Sequence, residues 1–525
     1  MKSKFLSLLT KQNLVLCAFI LLIIILKLPS FADPYWHPDE GIYSSIAHQL
    51  NLGGLLYTDA WDNKPPMIFY TYLIFYKIFG FHFFAIKFLG LMSTAVAFIY
   101  FYKLFRLLFK SVNILIPSLF FVILMCTPLL DGNVTNAENI FLALTTAGLY
   151  YFFLSLKTDQ NKYFYIATFL YGLAFTFKIH PGIEFIAVFL SFLTIYFMRH
   201  GKNKSELLKI IFNSGIIFSI PYLFFIILFA IQGNLGDFLY AMFHNGVGYI
   251  KIADTNTSFL ITILTSLPFR AILVLGCTGF LLYKIYNVKN KNFYILILIL
   301  TYIIFAIFLS GREYSHYLLQ AVTVFALLVG TYLHKYKDSK VGTKIVSSFA
   351  ISAIFIGFAM LFFVQNLMAN SGESSGGSTI NSYFSYCVNY YPNYVKLVTG
   401  NISQEIYNKM FYSDMAKFYR LTSETKELSG TKTFLWDDNP WFYFVNDVSD
   451  PVKYVTSYHL SQENIDLNGF IDQLAQKSDF VLFEKNILIN LPEDKKILFY
   501  KSFLKEKEFT DYILFKNESI KKLSF

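Results

Sequence analysis

The sequence predicts a polytopic α-helical membrane protein, with about 11 transmembrane helices and a small C-terminal α/β soluble domain. Three observations point there. Of the 525 residues 55% are hydrophobic and only 15% are charged, against about 25% charged in an ordinary soluble domain. Apolar runs long enough to cross a bilayer, which takes roughly 20 residues, recur through the first two thirds of the chain. Lys and Arg gather in short clusters between those runs, the pattern of cytoplasmic loops.

The net charge of +10 is therefore a topology signal and does not point to nucleic acid. Of the four cysteines, Cys17, Cys126 and Cys277 fall inside apolar runs and Cys387 stands alone in the tail. No disulfide framework or metal-type spacing follows from them. Residues 1–30 have the outline of a secretory signal, with Lys2, Lys4 and Lys11 before an apolar stretch from Leu14 to Leu26. The chain stays membranous afterwards, so the stretch reads as a retained first helix.

Candidate spans lie near 13–29, 84–104, 112–129, 138–156, 163–179, 182–198, 209–231, 260–283, 293–310, 316–334 and 346–365. With the N-terminus inside, the inner loops carry Lys103, Arg106 and Lys110, then Lys157 and Lys162, then Arg199, Lys202, Lys204 and Lys209. Lys284, Lys289 and Lys291 follow, then Lys335, Lys337, Lys340 and Lys344, whereas the outer loop 129–137 has no Lys or Arg. This alternation predicts a multi-pass plasma (inner) membrane protein with a cytoplasmic N-terminus and everything after about 366 outside.

The domains expected are a membrane domain over 1–368, with a large first outer loop at about 30–83, a linker at 369–379 and an extracytoplasmic α/β domain over 380–525. The first outer loop holds a possible amphipathic helix from Asp39 to Leu52. Its apolar run from Met67 to Phe79 is too short to span and is expected in the interface. A second long outer loop covers 232–259. Ser371–Ser378 (SGESSGGS) reads as flexible linker. In the tail, Thr433–Trp436, Phe480–Phe483 and Tyr512–Phe515 read as strands.

Ionisable groups at membrane depth or in tight apolar loops are costly and mark functional sites. The predicted outer side collects His37, Asp39, Glu40, Asp59, Asp62, Lys64, Asp131, Glu138, Lys178, His180, Arg312, Glu313 and His316. Both signs of charge in an apolar surround suit a site that handles a phosphate-bearing lipid together with proton transfer. Asp39 and Glu40 open a helix at the membrane surface. Asp39 either caps that helix or accepts a proton from an attacking hydroxyl, and both can hold. Lys64, before Pro65-Pro66, suits a lipid phosphate or simple anchoring at the headgroups. Glu138 either compensates a helix N-terminus or belongs to the site. Lys178 stands on the side where the positive-inside tendency disfavours it. Arg312 and His316 either clamp a phosphate or belong to a polar outer turn. Tyr57, Trp61 or Tyr314 can stack on a sugar or isoprenoid.

The order Asp39-Glu40-Gly41 with Tyr43, Tyr57 with Trp61-Asp62 and Lys64-Pro65-Pro66, then Gly311-Arg312 with His316-Tyr317 resembles the GT-C membrane glycosyltransferases. The nearest look is to relatives of the protein O-mannosyltransferases and lipid A aminoarabinose transferases, over about residues 13–365. The resemblance implies transfer of a single sugar, hexose or pentose, from a polyprenyl (or dolichyl) monophosphate to a glycan, lipid or protein acceptor at the outer face, by inverting displacement. It implies Asp39 as general base or acceptor-orienting carboxylate with Glu40 beside it, Lys64, Arg312, His316 and Lys178 at the donor phosphate, and Tyr57, Asp62 and Glu138 around them. No cofactor is expected. In the aminoarabinose transferases an acid that can hold a divalent metal precedes the lysine of the Lys-Pro-Pro motif; Asn63 stands there in this chain, which weakens the expectation of a metal. Two other readings remain. A transporter or flippase of lipid-linked sugars would place charges mid-span in paired broken helices. An oligosaccharyltransferase would carry a Trp-Trp-Asp motif, of which Trp436-Asp437-Asp438 is a partial echo.

Overall fold

The computed structural model describes residues 11–110, 112–201, 203–244, 267–309, 314–335, 380–411, 415–462 and 465–518. The span expected at 346–365, the linker 369–379, residues 245–259 of the second outer loop, and Arg312 and Glu313 lie outside them. The chain forms two compact units. One comprises the described residues of 1–31, 87–225 and 248–390; the other comprises those of 32–86, 226–247 and 391–525.

The helices of the first two thirds are α1 (Lys11–Lys27), α2 (Pro38–Asn51), α3 (Met67–Phe79), α4 (Phe83–Leu108), α5 (Leu115–Cys126) and α6 (Ala137–Thr158). Then come α7 (Asn161–Phe175), α8 (His180–His200), α9 (Lys204–Gln232), α10 (Leu267–Asn287), α11 (Lys291–Ile307) and α12 (Val322–Lys335), the last preceded by a 3-10 segment, Ser315–Ala321. Among the described residues, seven helices are long and apolar enough to cross a membrane: Asn13–Ala32, Phe83–Leu108, Ala137–Thr158, His180–His200, Lys204–Gln232, Leu267–Asn287 and Ser315–His334. The protein is a multi-pass membrane protein. Helix α4, with 26 residues, extends about 39 Å at 1.5 Å per residue, more than the hydrocarbon core of about 30 Å.

Local chemistry sets the helix ends. Helix α5 stops at Cys126 because Pro128 follows; Thr127 takes extended angles (φ −71°, ψ 134°), as the residue before a proline prefers. Helix α7 ends at Phe175, earlier than the expected 179, and α8 starts at His180 with Pro181 in its first turn, where a missing N–H costs nothing. Lys178 is thus left in a short break between two apolar helices.

In the first unit α6 packs on α7 and α8, α11 on α8, α10 and α12, and α5 on α1 and α12. Aromatic rings fill the core: Phe101 stacks on Phe121 at 4.6 Å and Phe164 on Phe192 at 3.6 Å between centroids. Gly172 on α7 sits against the backbone of Phe218 on α9 so closely that a Cβ would strike its carbonyl, the small-residue contact that brings membrane helices together. Helix α9 is apolar on all sides and leaves Phe212 and Phe224 exposed, a surface for lipid.

In the second unit the C-terminal domain carries a four-stranded sheet of β1 (Thr433–Trp436), β2 (Phe480–Glu484), β3 (Phe503–Glu508) and β4 (Tyr512–Asn517), in the order β1-β2-β4-β3. Strands β1 and β2 are parallel, from Thr433 beside Phe480 to Trp436 beside Phe483; β4 runs antiparallel to β2 and β3. The three strands expected from sequence are present. Strand β3 was not expected: it reads Phe-Leu-Lys-Glu-Lys-Glu and is exposed beyond Phe503, because a charged edge strand lacks the apolar alternation that marks a buried one.

Residues 32–86 pack into this same unit. Helix α2 lies on the helix Trp441–Val445, Ser45 Oγ donates to Pro440 O at 2.5 Å and His48 Nε2 meets Asp447 Oδ1 at 2.9 Å. The Trp61 backbone N–H donates to Lys453 O at 2.8 Å.

Candidate functional site

In the second unit the polar residues expected from sequence converge on Lys64. Its Nζ lies 3.4 Å from Asp39 Oδ1 and 3.5 Å from Asp62 Oδ2. Asp62 Oδ1 also accepts the Lys64 backbone N–H at 3.1 Å. The Lys64 ammonium stands 5.1 Å from the centre of the Tyr43 ring, a cation–π contact. Asp62 is buried, while Asp39 and Lys64 are partly open, with 25% and 21% of their side chains exposed. One cation thus faces two carboxylates at a site that solutes reach.

Asp39 does not cap helix α2. The boundary residue is His37, with extended angles (φ −82°, ψ 123°), and the helix starts at Pro38. Proline fits the first helical position, which shifts the start one residue toward the N-terminus and places Asp39 and Glu40 in the first turn. There both carboxylates meet the positive end of the helix dipole, and Asp39 stays available to Lys64. Glu40 is fully buried, on the helix that packs against α3.

Tyr57 and Trp61 are each only 1% exposed, so neither ring offers a face for stacking a sugar in this conformation. Phe229 and Phe238 pack on Tyr57 at 5.6 and 5.7 Å, and Tyr454 and His459 pack on Trp61 at 5.7 and 5.2 Å. Tyr57 instead supports the lysine: its hydroxyl donates to Lys64 O at 2.8 Å. It does so from a left-handed backbone (φ 71°), a conformation costly for a bulky residue and concentrated at functional sites.

His459, from the helix Ser457–Gln462 of the C-terminal domain, was not anticipated. Burial holds its ring below the usual imidazole range, against the opposing pull of Asp62. The isolated sequence carries no signal for it, because it lies about 400 residues from its neighbours.

The first unit holds a second polar group. Lys178, in the break between α7 and α8, pairs with Glu138 in the first turn of α6. Its ammonium also sits 3.7 Å from the centre of the Tyr317 ring. His180 lies edge-on to the same ring at 5.3 Å. His316 Nδ1 is 3.1 Å from Asp131 Oδ2, and Ser315 Oγ donates to that same oxygen at 2.8 Å. Tyr314 is 41% exposed and stacks on His316, so it keeps an open face. Glu138 therefore both sits at a helix start and partners Lys178. Arg312 is outside the described residues.

The whole chain aligns in three dimensions with the crystal structure of ArnT from Cupriavidus metallidurans in the apo state, with a TM-score of 0.57 and 11% identity over 97% of this chain and 99% of that one. The fold is that of ArnT. Residues 63–225 match the family described as dolichyl-phosphate-mannose-protein mannosyltransferase. That match begins at the Asn63-Lys64-Pro65-Pro66 motif and runs through Glu138 and Lys178 to α9. No curated protein sequence matches the chain. Among the described residues no three His, Cys, Asp or Glu side chains are grouped to hold a metal ion.

Proposed function

We propose that this protein transfers a single sugar from a polyprenyl monophosphate to an acceptor hydroxyl at the outer face of the plasma membrane, with inversion at the anomeric carbon. The observation that carries this reading is the Asp39–Lys64–Asp62 constellation at 3.4 and 3.5 Å, on a GT-C fold. A carboxylate beside a lysine, both partly open, pairs a proton acceptor with a cation that favours an anionic group. Asp39 takes the proton of the acceptor hydroxyl as its oxygen attacks the sugar. The bond from the anomeric carbon to the phosphate oxygen breaks, and the bonding electrons leave with the phosphate. Lys64 stabilises that developing charge, and fixed charges of this kind need no reorganisation during reaction. Asp62 and the Tyr57 hydroxyl hold Lys64 in place. Lys178, His316 and Arg312 are assigned to the donor phosphate, with Glu138 orienting Lys178.

The reaction needs no nucleotide sugar and no cofactor in this scheme; activity retained in a chelator supports the absence of a divalent metal. The acceptor class is a glycan, lipid or protein. The test uses purified protein and radiolabelled polyprenyl-phosphate sugars with membrane extract as acceptor, wild type beside Asp39→Asn. Transfer by wild type that falls about 100-fold or more in the variant, with donor binding kept, supports both the reaction and the base. Full transfer by Asp39→Asn removes Asp39 from that role. Carrier movement across proteoliposomes without transfer favours a flippase.

A further inference from the structure

We propose that Asp131 is the positioning residue of His316, holding the imidazole by Nδ1 so that Nε2 is the nitrogen presented to the phosphate of the lipid-linked donor. The inference rests on the functional reading above, in which His316 meets that phosphate. Asp131 belongs to the turn after α5 and His316 to the 3-10 segment before α12. They lie 185 residues apart in sequence and meet inside one compact unit.

Three observations set the pair apart from an incidental contact. Both groups are buried: their side chains are 8% and 11% exposed for His316 and Asp131. The carboxylate accepts from two neighbours in the same segment, Ser315 Oγ at 2.8 Å and His316 Nδ1 at 3.1 Å. An ionised carboxylate only accepts, so Nδ1 carries the proton and Nε2 is the remaining nitrogen. Finally, Asp131 is held in the left-handed region (φ 52°, ψ 32°). Lys27 and Lys87, both buried, donate to the carbonyls of Gly132 and Asn133 next to it. Asn133 Nδ2 also donates to Tyr386 OH at 2.9 Å. A turn fixed from several helices fixes the carboxylate, and through it the ring.

The chemistry follows from the two nitrogens. A phosphate oxygen accepts, so Nε2 must carry a proton to bind it, which makes the ring doubly protonated while the donor is bound. Asp131 is then its counter-charge inside a buried site, where an unpaired ion is costly. Charged groups near this segment include Lys178, paired with Glu138, and His180, both packed on Tyr317, with Lys27 and Lys87 beside the Asp131 turn.

The test compares full-length wild type, Asp131→Asn, His316→Gln and the double variant in detergent. Asparagine tolerates the left-handed backbone, so the single change removes the charge and keeps the turn. Asp131→Asn should lower kcat/KM about tenfold or more, and should cost less than about twofold in the His316→Gln background, as residues that act as a unit do. An equal loss in both backgrounds would mean that Asp131 serves the fold alone, and overturns the proposal. A second measurement needs no variant to fold and no activity: ¹⁵N spectra of histidine-labelled wild type, assigned with His316→Gln. A protonated Nδ1 at His316 supports the pair, and an unprotonated Nδ1 overturns it whether or not sugar is transferred. Protonated Nδ1 in a protein that transfers no sugar overturns the functional reading, and with it the role given to the pair.

Discussion

Gly41→Ala tests how α2, the helix that carries Asp39, is seated. Gly41 lies on α2, two residues after Asp39. A Cβ there would stand 2.9 Å from Pro440 Cγ, 2.9 Å from Trp441 Cδ1 and 3.0 Å from Trp441 Nε1. Comfortable carbon contacts lie at about 3.5–4.0 Å, so α2 and the indole must separate by roughly half an ångström or more. Neither partner yields readily. Pro440 is rigid, and Trp441 is 1% exposed, boxed by Tyr35 at 5.0 Å and Phe83 at 5.7 Å. The indole N–H also donates to His37 O at 3.0 Å, the carbonyl at the start of α2. Overpacking costs about 1–3 kcal/mol and a weakened hydrogen bond about 0.5–1.5 kcal/mol. Replacing a helical glycine returns about 1 kcal/mol. The net loss is about 0.5–3.5 kcal/mol. For a unit of 150–250 residues each kcal/mol shifts the midpoint by about 2–4 °C. The apparent unfolding temperature in detergent, read by intrinsic fluorescence at one scan rate, should fall by several degrees. Transfer activity should fall with it, since the shifted residue neighbours Asp39. Gly236→Ala in the same unit is the control: it is helical and nothing lies within 4 Å of its would-be Cβ, so its midpoint should hold or rise by a few degrees. An unchanged midpoint in Gly41→Ala, with full activity, would refute the close packing of α2 on Trp441.

Two further outcomes are expected. Lys64→Gln removes the cation between Asp39 and Asp62 and should lower kcat by about 100-fold, with Lys64→Arg recovering part of it; steady-state transfer with Lys64→Gln at wild-type rate would take Lys64 out of the reaction. Asp450 is fully buried and burial holds its carboxyl well above the usual range, so the folded chain binds its proton more tightly than the unfolded one. The stability this group contributes is full below the unfolded value of about 4 and is lost as pH rises. Asp450→Asn, which can keep the acceptor for Val452 N (3.1 Å), should therefore unfold at a higher temperature than wild type at pH 7, with the gap closing below pH of about 4. Parallel pH curves for the two proteins would contradict this.

The parts of this protein written in its sequence are those with a local physical signature. Apolar length gave α1, α4, α6, α8 and α9 within a few residues, because the bilayer dictates a minimum run. Proline chemistry marked the ends of α5 and α8 once the backbone was seen, though the apolar run through Lys178 hid how early α7 ends, at Phe175 rather than 179. The sequence named Asp39, Asp62 and Lys64 through their place in a short polar stretch, and these three do meet. It did not reveal that Tyr57 and Trp61 are covered, since an aromatic residue reads alike whether it packs or binds.

What only the tertiary structure decided are the meetings of distant residues. Asp131 and His316 each stand out in sequence as ionisable groups on the predicted outer side, but 185 residues separate them, and only the fold shows that they pair. His459 reaches Trp61 by the same kind of long-range packing. The helix Trp441–Val445 seats α2 from 400 residues away. Bilayer crossing and helix capping depend on neighbours in the chain, and a sequence states its neighbours. A site depends on which side chains share a few ångströms, and packing alone sets that.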